Sequence, residues 1–165
     1  MKSFREGSPD PELAEVEAIY RGRYQAFLRT AAAIVGDDEI ARDVVQEAFA
    51  SAVRKRRTRR RQASLEPWIW RIVLNAAKDE RRRRRVREHP ARDVERNGYH
   101  NTDADPAVRR ALLGLPEQQR RAVFLRYYAE LDYARIADVL QVAPGTVGAT
   151  LSSARSALRK KLEEE

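Results

Sequence analysis

The sequence predicts an all-α protein built from two small helical domains. Apolar residues recur every three or four positions along most of the 165-residue chain, and no segment has the strict alternation of a strand. The periodic segments form two groups, and the polar stretch between them has no apolar period. We therefore expect a disordered N-terminus at 1–10, a three-helix domain at 11–87, a flexible linker at 88–104 and a four-helix domain at 105–162.

The first two predicted helices are bounded by residues with capping chemistry. Asp10-Pro11 is a favourable helix start and Gly36 a favourable stop. Asp37 or Asp38 then starts the second helix. One outward face of that helix carries side chains three or four positions apart, namely Asp43, Gln46, Glu47 and Ala50. An ordinary solvated helix face would show the same pattern.

A third helix is predicted from Leu65, with Ser64 as its cap and Pro67 in its first turn. Its expected buried stripe consists of apolar residues at helical spacing: Leu65, Trp68, Ile69, Ile72, Val73 and Ala76. The opposite face carries Trp70, Arg71, Leu74, Asn75, Lys78 and Asp79. The helix then runs into five arginines at 81–85. This face suits a polyanion, although solvated charges near a helix C-terminus would look the same.

The charge distribution favours nucleic acid as the partner. The formal net charge is +8, and two blocks at 54–61 and 78–87, each with seven basic residues, flank the third helix.

The sequence has no cysteine and two histidines, so it predicts no disulfide, no metal site and no cofactor. Because no nucleophile motif, phosphate loop or paired carboxylates are present, an enzyme is disfavoured. No apolar run is long enough to span a membrane and no signal-peptide pattern is present, which predicts a cytoplasmic protein.

The second domain has the sequence pattern of a helix-turn-helix. Helix starts are predicted at Asp105-Pro106, Pro116, Asp132 and Pro144. A short turn separates the last two helices, and the small Ala137 allows them to approach closely. The same spacing would fit any corner between two helices of a small bundle.

In this order, the features resemble the extracytoplasmic-function (ECF) group of the sigma-70 family of bacterial RNA polymerase sigma factors. Residues 43–49, DVVQEAF, are similar to the family's D-x-V-Q-E-x-F segment. The helix from Trp68 to Arg85 resembles the one that melts and reads the −10 promoter element, with Asn75 and Asp79 at the family's Asn and Asp positions. Residues 115–158 resemble the family's −35 domain, with which they share Leu-Pro, Arg-Tyr, Ile-Ala, Gly-Thr-Val and Ala-Arg motifs.

The resemblance implies a sigma factor that binds core RNA polymerase, directs it to promoters and helps to open the duplex. It implies that Asp43, Gln46, Glu47 and Ala50 bind the clamp helices of the largest polymerase subunit, and that the C-terminal domain meets the flap region. The implied −10 contacts are Arg56, Arg59, Trp70, Arg71, Asn75, Lys78, Arg81 and Arg82. The implied −35 contacts are Thr146, Gly148, Ala149, Thr150, Ser152, Ser153 and Arg155. An anti-sigma factor is typical of the group, whereas neither a small-molecule substrate nor membrane insertion is expected.

Two side chains of the third helix have specific candidate roles in an opened promoter. Trp70 is the exposed aromatic residue on which an unstacked base could stack, and Asn75 could pair with a base edge. For Trp70 the alternative is a core or interdomain position. For Asn75 it is an ordinary polar surface position.

The sequence departs from the family pattern at the recognition helix. Gly148, Ala149 and Thr150 occupy positions where the family commonly has a basic residue, Ser and Arg, and Ser152 and Ser153 replace larger or basic residues. Gln141 replaces a usual glycine in the turn, and Pro144 is shifted by one position. In the first domain, Arg56 and Arg59 stand where the −10 specificity loop usually has apolar or aromatic residues. Since phosphate and bidentate base contacts depend on long basic side chains, we expect weak −35 readout and greater dependence on non-specific charge and on the −10 contacts.

Two other classes of function fit parts of the pattern. One is a sigma-like protein that binds polymerase or a regulator without productive initiation. The other is an autonomous helix-turn-helix repressor or nucleoid protein, which should bind duplex DNA without polymerase.

Overall fold

The computed structural model describes residues 10–59, 64–87 and 105–163, which are helical and contain no strand. The expectations for the N-terminus before Asp10 and for the linker at 88–104 lie outside these residues. The helices are α1 (Pro11–Val35), α2 (Asp38–Lys55), α3 (Leu65–Arg87), α4 (Pro106–Leu113), α5 (Glu117–Tyr127), α6 (Tyr133–Leu140) and α7 (Pro144–Glu163). A 3₁₀ turn at Arg56–Thr58 follows α2. The predicted all-α fold is therefore confirmed.

The N-terminal helices begin and end where their capping residues predict. The Asp10 carboxylate accepts a hydrogen bond from the Glu12 amide at 3.1 Å, and Pro11 occupies the first turn. Gly36 ends α1 in the left-handed conformation, with φ 84°. Of the two aspartates that follow, Asp37 is the cap, because it accepts from the Glu39 and Ile40 amides.

The C-terminal helices follow the same chemistry with one exception. Asp105 caps α4 through the Ala107 amide, and Asp132 caps α6 through the Arg135 amide, both at 2.8 Å. Gln141 ends α6 with φ 57°, a left-handed conformation that glycine adopts with less strain.

The two groups of helices each enclose an apolar core. In the first, Phe27 of α1 makes an edge contact with Phe49 of α2, with ring centroids 5.1 Å apart. In the second, Phe124, Ile136 and Leu151 are buried where α5, α6 and α7 meet. The two cores are continuous, because α3 packs against α6 and α1 packs against α5.

The buried face of α3 differs from the expected stripe. Its fully buried residues are Leu65, Ile69, Trp70, Val73, Leu74 and Ala77, whereas Trp68, Ile72 and Ala76 are only partly buried. The buried face is thus rotated by roughly a quarter turn towards the side expected to be exposed. The reason is that α3 lies between two layers, with α1 and α2 on one side and α6 on the other.

Candidate functional site

The outward face of α2 carries the predicted polymerase-binding residues. Asp43, Gln46, Glu47 and Ala50 are all exposed, while Val44, Val45, Ala48 and Phe49 point into the core. Glu47 forms an exposed ion pair with Arg54 at 2.7 Å. The face is a short acidic and polar strip on a helix fixed by packing, as an interface on a rigid element requires.

Arg56 has a structural partner that the sequence pattern did not reveal. Its guanidinium binds the Asp10 carboxylate, at 2.8 Å from Nη2 and 3.1 Å from Nε, and it also donates to the Val53 carbonyl. Arg57 adds a longer contact to the same carboxylate at 3.3 Å. These hydrogen bonds, mainly those from Arg56, hold the pKa of Asp10 at about 2, below its ordinary value of 3.8. Arg56 therefore joins the start of α1 to the end of α2. Arg59, its companion in the prediction, is half-buried.

Trp70 is not exposed, and the expectation that it offers a free stacking surface is wrong. Its side chain is fully buried, and its ring lies 4.0 Å from the Phe27 ring, centroid to centroid. Leu131 and Val139 of the C-terminal domain line a cavity beside it. The alternative left open by the sequence, a core or interdomain position, is the one that the structure supports.

The next polar residues along α3 are engaged by the C-terminal domain. Arg71 Nη1 donates to the Asp138 carbonyl at 2.9 Å. Asn75 Oδ1 accepts from Arg121 Nη2 at 2.7 Å. Lys78 Nζ donates to both carboxylate oxygens of Glu117, at 2.9 and 2.8 Å.

The arginine tract continues beyond this contact. Arg82 is exposed and Arg81 half-buried, while Arg84 donates to the Val35 carbonyl at 3.4 Å. Arg83 and Arg87 flank Glu80, whose carboxylate lies 3.7 and 3.0 Å from them. The end of α3 thus combines arginines bound within the fold with arginines that face solvent.

The helix-turn-helix consists of α6 and α7, and its second helix presents mostly small side chains. Val147, Leu151 and Ala154 are buried in the domain core. The predicted −35 contacts lie on the rest of α7: Thr146, Ala149, Ser152, Ser153 and Arg155 are exposed, and Gly148 and Thr150 are half-buried.

Arg155 is the only long basic side chain among the predicted −35 contacts, and it has a neighbour that the sequence pattern did not single out. Its Nε donates to the hydroxyl of Tyr127, 3.1 Å away, and Tyr127 is itself exposed. A Cβ added at Gly148 would meet Tyr133 at an ordinary 3.6 Å, so a side chain fits there.

The sequence also failed to identify the residues of α5 that face α3. Glu117 and Arg121 have the charges and spacing of an exposed i, i+4 pair, and their side chains do contact each other at 3.3 Å. Only the packing of the two domains shows that both also reach Lys78 and Asn75.

Within 10–59, 64–87 and 105–163 there is no cluster of three potential metal ligands. In the same ranges, no helix combines the length and apolarity needed to cross a bilayer.

Comparison with known proteins places both halves of the chain in one family. Residues 19–87 match the model for sigma-70 region 2, and residues 106–158 match the model for sigma-70 region 4. The ECF RNA polymerase sigma factor SigM of Mycobacterium tuberculosis is 34% identical over 155 residues, which cover 88% of this chain and 76% of that protein. The RNA polymerase sigma-H factor of Pseudomonas aeruginosa is 29% identical, with 90% of this chain and 92% of that protein covered.

Two solved structures with the same fold are complexes of two proteins, and one of them contains a sigma factor bound to an anti-sigma factor. The sigma factor RpoE of Bartonella quintana, in complex with the anti-sigma factor NepR, aligns with a TM-score of 0.64 at 23% identity over 90% of this chain and 97% of that one. CnrH, in complex with the cytosolic domain of CnrY, aligns with a TM-score of 0.67 at 18% identity over 93% and 90%. At these identities the likeness concerns the fold alone.

Proposed function

Because the chain belongs to the sigma-70 family of RNA polymerase sigma factors, in its ECF group, and directs promoter-specific transcription initiation, we propose how its three surfaces divide that task. The outward face of α2 binds core polymerase. The polar side of α3 binds the −10 element, and α7 lies against the −35 element. The protein acts by binding, without catalysis, in the cytoplasm, where polymerase and promoter DNA are found.

The polymerase contact is assigned to Asp43, Gln46, Glu47 and Ala50 on α2. The observation that carries this assignment is that all four are exposed on one side of a helix whose other side is buried in the core. Carboxylate and amide oxygens are acceptors for a basic partner helix, and such rim charges act mainly on association rate and specificity. The resemblance implies the clamp helices of the largest subunit as that partner, with the flap region meeting the C-terminal domain.

The −10 contact is assigned to Arg71, Asn75, Lys78, Arg81 and Arg82. Four of these are cations along one helix, which favours phosphate binding, and Asn75 supplies a donor and an acceptor for a base edge. Trp70 is left out, because its ring is occupied by Phe27. Arg56 is left out as well, because its guanidinium forms a mostly buried ion pair with Asp10 that joins α1 to α2 within the first domain.

The −35 contact is assigned to the exposed part of α7, with Arg155 as its phosphate ligand. The predicted residues around it offer hydroxyl groups at Thr146, Ser152 and Ser153, which reach less far than lysine or arginine. The proposal therefore keeps the expectation of weak −35 readout. An anti-sigma factor is a further proposed partner, supported by the fold shared with the sigma factor RpoE, whose structure contains the anti-sigma factor NepR.

Transcription with purified core polymerase tests the proposal. We expect the protein to support run-off transcription from a cognate promoter and to bind short duplex DNA poorly by itself. Asp43→Lys with Gln46→Lys should abolish co-purification with core enzyme and run-off product, because the partner surface is basic. Glu17→Lys with Gln25→Lys, which makes the same change in net charge at two exposed sites on α1, is the control and should retain both activities. Tight, specific duplex binding without polymerase would instead identify a repressor.

A further inference from the structure

Two exposed tyrosines lie beside the recognition helix, next to the surface that the proposed function assigns to the −35 element. Tyr127 ends α5 and Tyr133 begins α6, and they are 52% and 40% exposed. Single exposed side chains with apolar rings are common and need no explanation. These two, however, contact the same guanidinium, that of Arg155 on α7. The surface around Arg155 therefore extends from α7 to the end of α5 and the start of α6.

The hydroxyl of Tyr127 holds Arg155 in place by accepting a hydrogen bond. Arg155 Nε donates to Tyr127 Oη over 3.1 Å. The hydroxyls of Tyr127 and Tyr133 raise the pKa of Arg155 above its ordinary value, because they accept hydrogen bonds from its charged form. A hydroxyl that accepts a hydrogen bond still has its own O–H to donate, and the guanidinium has further N–H groups on its Nη atoms. Tyr127 and Arg155 can therefore donate together to one acceptor outside the protein.

The ring of Tyr133 is fixed by neighbours on two elements. Arg126 Cζ lies 5.7 Å from its centroid, within the range of a cation–π contact, and Arg126 Nη1 is anchored to the Leu131 carbonyl at 3.0 Å. On the α7 side, the ring lies 3.6 Å from the position that a Cβ of Gly148 would take. The side chains around Arg155 are thus held by packing before any ligand arrives, as a precise binding site requires.

The acceptor that suits this group is a phosphate of duplex DNA. Arginine and tyrosine side chains both donate to phosphate oxygens in protein–DNA interfaces, and donors that carry charge make the stronger contacts. In the part of the chain that the structure describes, Arg155 forms no ion pair with a carboxylate, so its charge is left for an external anion. The other residues proposed to meet the −35 element have short side chains, which concentrates the phosphate contact at Arg155.

We propose that Tyr127 is the positioning residue of the −35 phosphate site: its hydroxyl orients Arg155 and binds the same phosphate. Tyr133, whose hydroxyl also contacts Arg155, completes the site. The inference rests on the proposed function of α7 and adds to it a residue of α5 that lies outside the helix-turn-helix.

Duplexes in which single phosphates of the −35 element are replaced by uncharged methylphosphonates test this assignment. The complex of the unsubstituted protein with core polymerase should bind one of them about tenfold more weakly than the unmodified duplex, as expected for the loss of a charge-assisted hydrogen bond. In the complex of Arg155→Ala this penalty should nearly disappear. Tyr127→Phe keeps the ring and removes the hydroxyl. It should bind the unmodified duplex about fivefold more weakly and reduce the penalty to about twofold.

Two control variants match these changes. Tyr128→Phe removes the hydroxyl of the next residue, whose ring packs against Phe124 at a centroid distance of 5.5 Å. Arg159→Ala removes an exposed positive charge one turn further along α7. Both should leave the methylphosphonate penalty at its unsubstituted value. Partial unfolding of a variant would weaken binding to every duplex alike, so the ratio between modified and unmodified duplexes reports the phosphate contact alone.

The inference is overturned if Tyr127→Phe retains the full penalty. It is also overturned if the affinity losses of Tyr127→Phe and Arg155→Ala add in the double variant, because a residue that acts through Arg155 should have less than a twofold effect once Arg155 is gone. Run-off transcription by the unsubstituted protein separates these outcomes from failure of the proposed function. An active complex in which no −35 phosphate depends on both residues refutes the site alone. An inactive one refutes the function on which it rests.

Discussion

The ring of Trp70 lies against the ring of Phe27, with their centroids 4.0 Å apart and their planes inclined by 34°. This contact joins α3 to α1 in the centre of the larger core, and both side chains are completely buried. Trp70→Ala should therefore lower the free energy of unfolding by about 3–5 kcal/mol, the range for truncating a large buried aromatic side chain. Urea denaturation followed by circular dichroism measures this loss.

Trp68, the other tryptophan, is only partly buried and serves as the control. Trp68→Ala should cost less than half as much. In the Trp68→Phe variant, where Trp70 is the single fluorophore, we expect blue-shifted emission that iodide quenches poorly. Emission typical of water-exposed indole would contradict the buried position.

The ion pair between Asp10 and Arg56 makes stability depend on pH in the acid range. Its hydrogen bonds hold the pKa of Asp10 at about 2 in the folded protein, below the ordinary 3.8. Because the folded pKa is the lower one, the contribution is complete above 3.8 and is lost as the pH falls through about 2. Asp10→Asn keeps a capping side chain but removes the charge, so it should flatten the pH dependence of the free energy of unfolding between pH 4 and 2. The same change at Asp37, the cap of α2, shows how much belongs to the cap alone.

Gln141 occupies a left-handed conformation, with φ 57°, at the end of α6. Gln141→Gly should raise the free energy of unfolding by about 1 kcal/mol, because glycine has no Cβ to strain there. Thermal denaturation gives the size of the effect. Gln118→Gly, in the exposed first turns of α5, should act in the opposite direction, since glycine is unfavourable inside a helix. If Gln141→Gly and Gln118→Gly change the free energy of unfolding by the same amount and in the same direction, the conformation of Gln141 is not strained.

Gly148 lies at the start of the recognition helix with room for a side chain. Gly148→Lys should tighten binding of the polymerase complex to a promoter duplex that contains the −35 element, and should steepen the dependence of log K on log salt by about 0.9. Gly148→Ala separates this effect from the better helix propensity of any residue over glycine. If the alanine variant gains as much affinity as the lysine variant, phosphate contact is not what the helix lacks.

The helix boundaries could be read from the sequence because they depend on local chemistry. Each capping residue contacts an amide or a carbonyl only a few positions away in the chain, so the sequence alone shows both partners of the contact. This is the case for Asp10, Gly36, Asp105 and Asp132. The resemblance to the ECF sigma factors was readable for a similar reason, since its motifs are short. Comparison with known proteins confirms that resemblance.

The faces of α3 could not be read in the same way. Trp70 and Leu74 belong to a helix with apolar residues on two sides, and only tertiary packing decides which side meets which layer. The partner of Arg56 is 46 residues away in the sequence. Contacts at that separation leave no periodic pattern in the sequence. The sequence therefore did not distinguish Arg56, whose guanidinium stabilises the fold, from an arginine that is available to bind DNA.

The burial of α3 on two sides also bears on how this protein can evolve. A substitution on one side of α3 disturbs its packing against α1 and α2. A substitution on the other side alters both the packing of the second domain and the proposed contact with promoter DNA. Few positions of α3 can therefore change without affecting stability or function. A new promoter preference should arise more readily at α7, whose short side chains leave space for replacement without cost to the core.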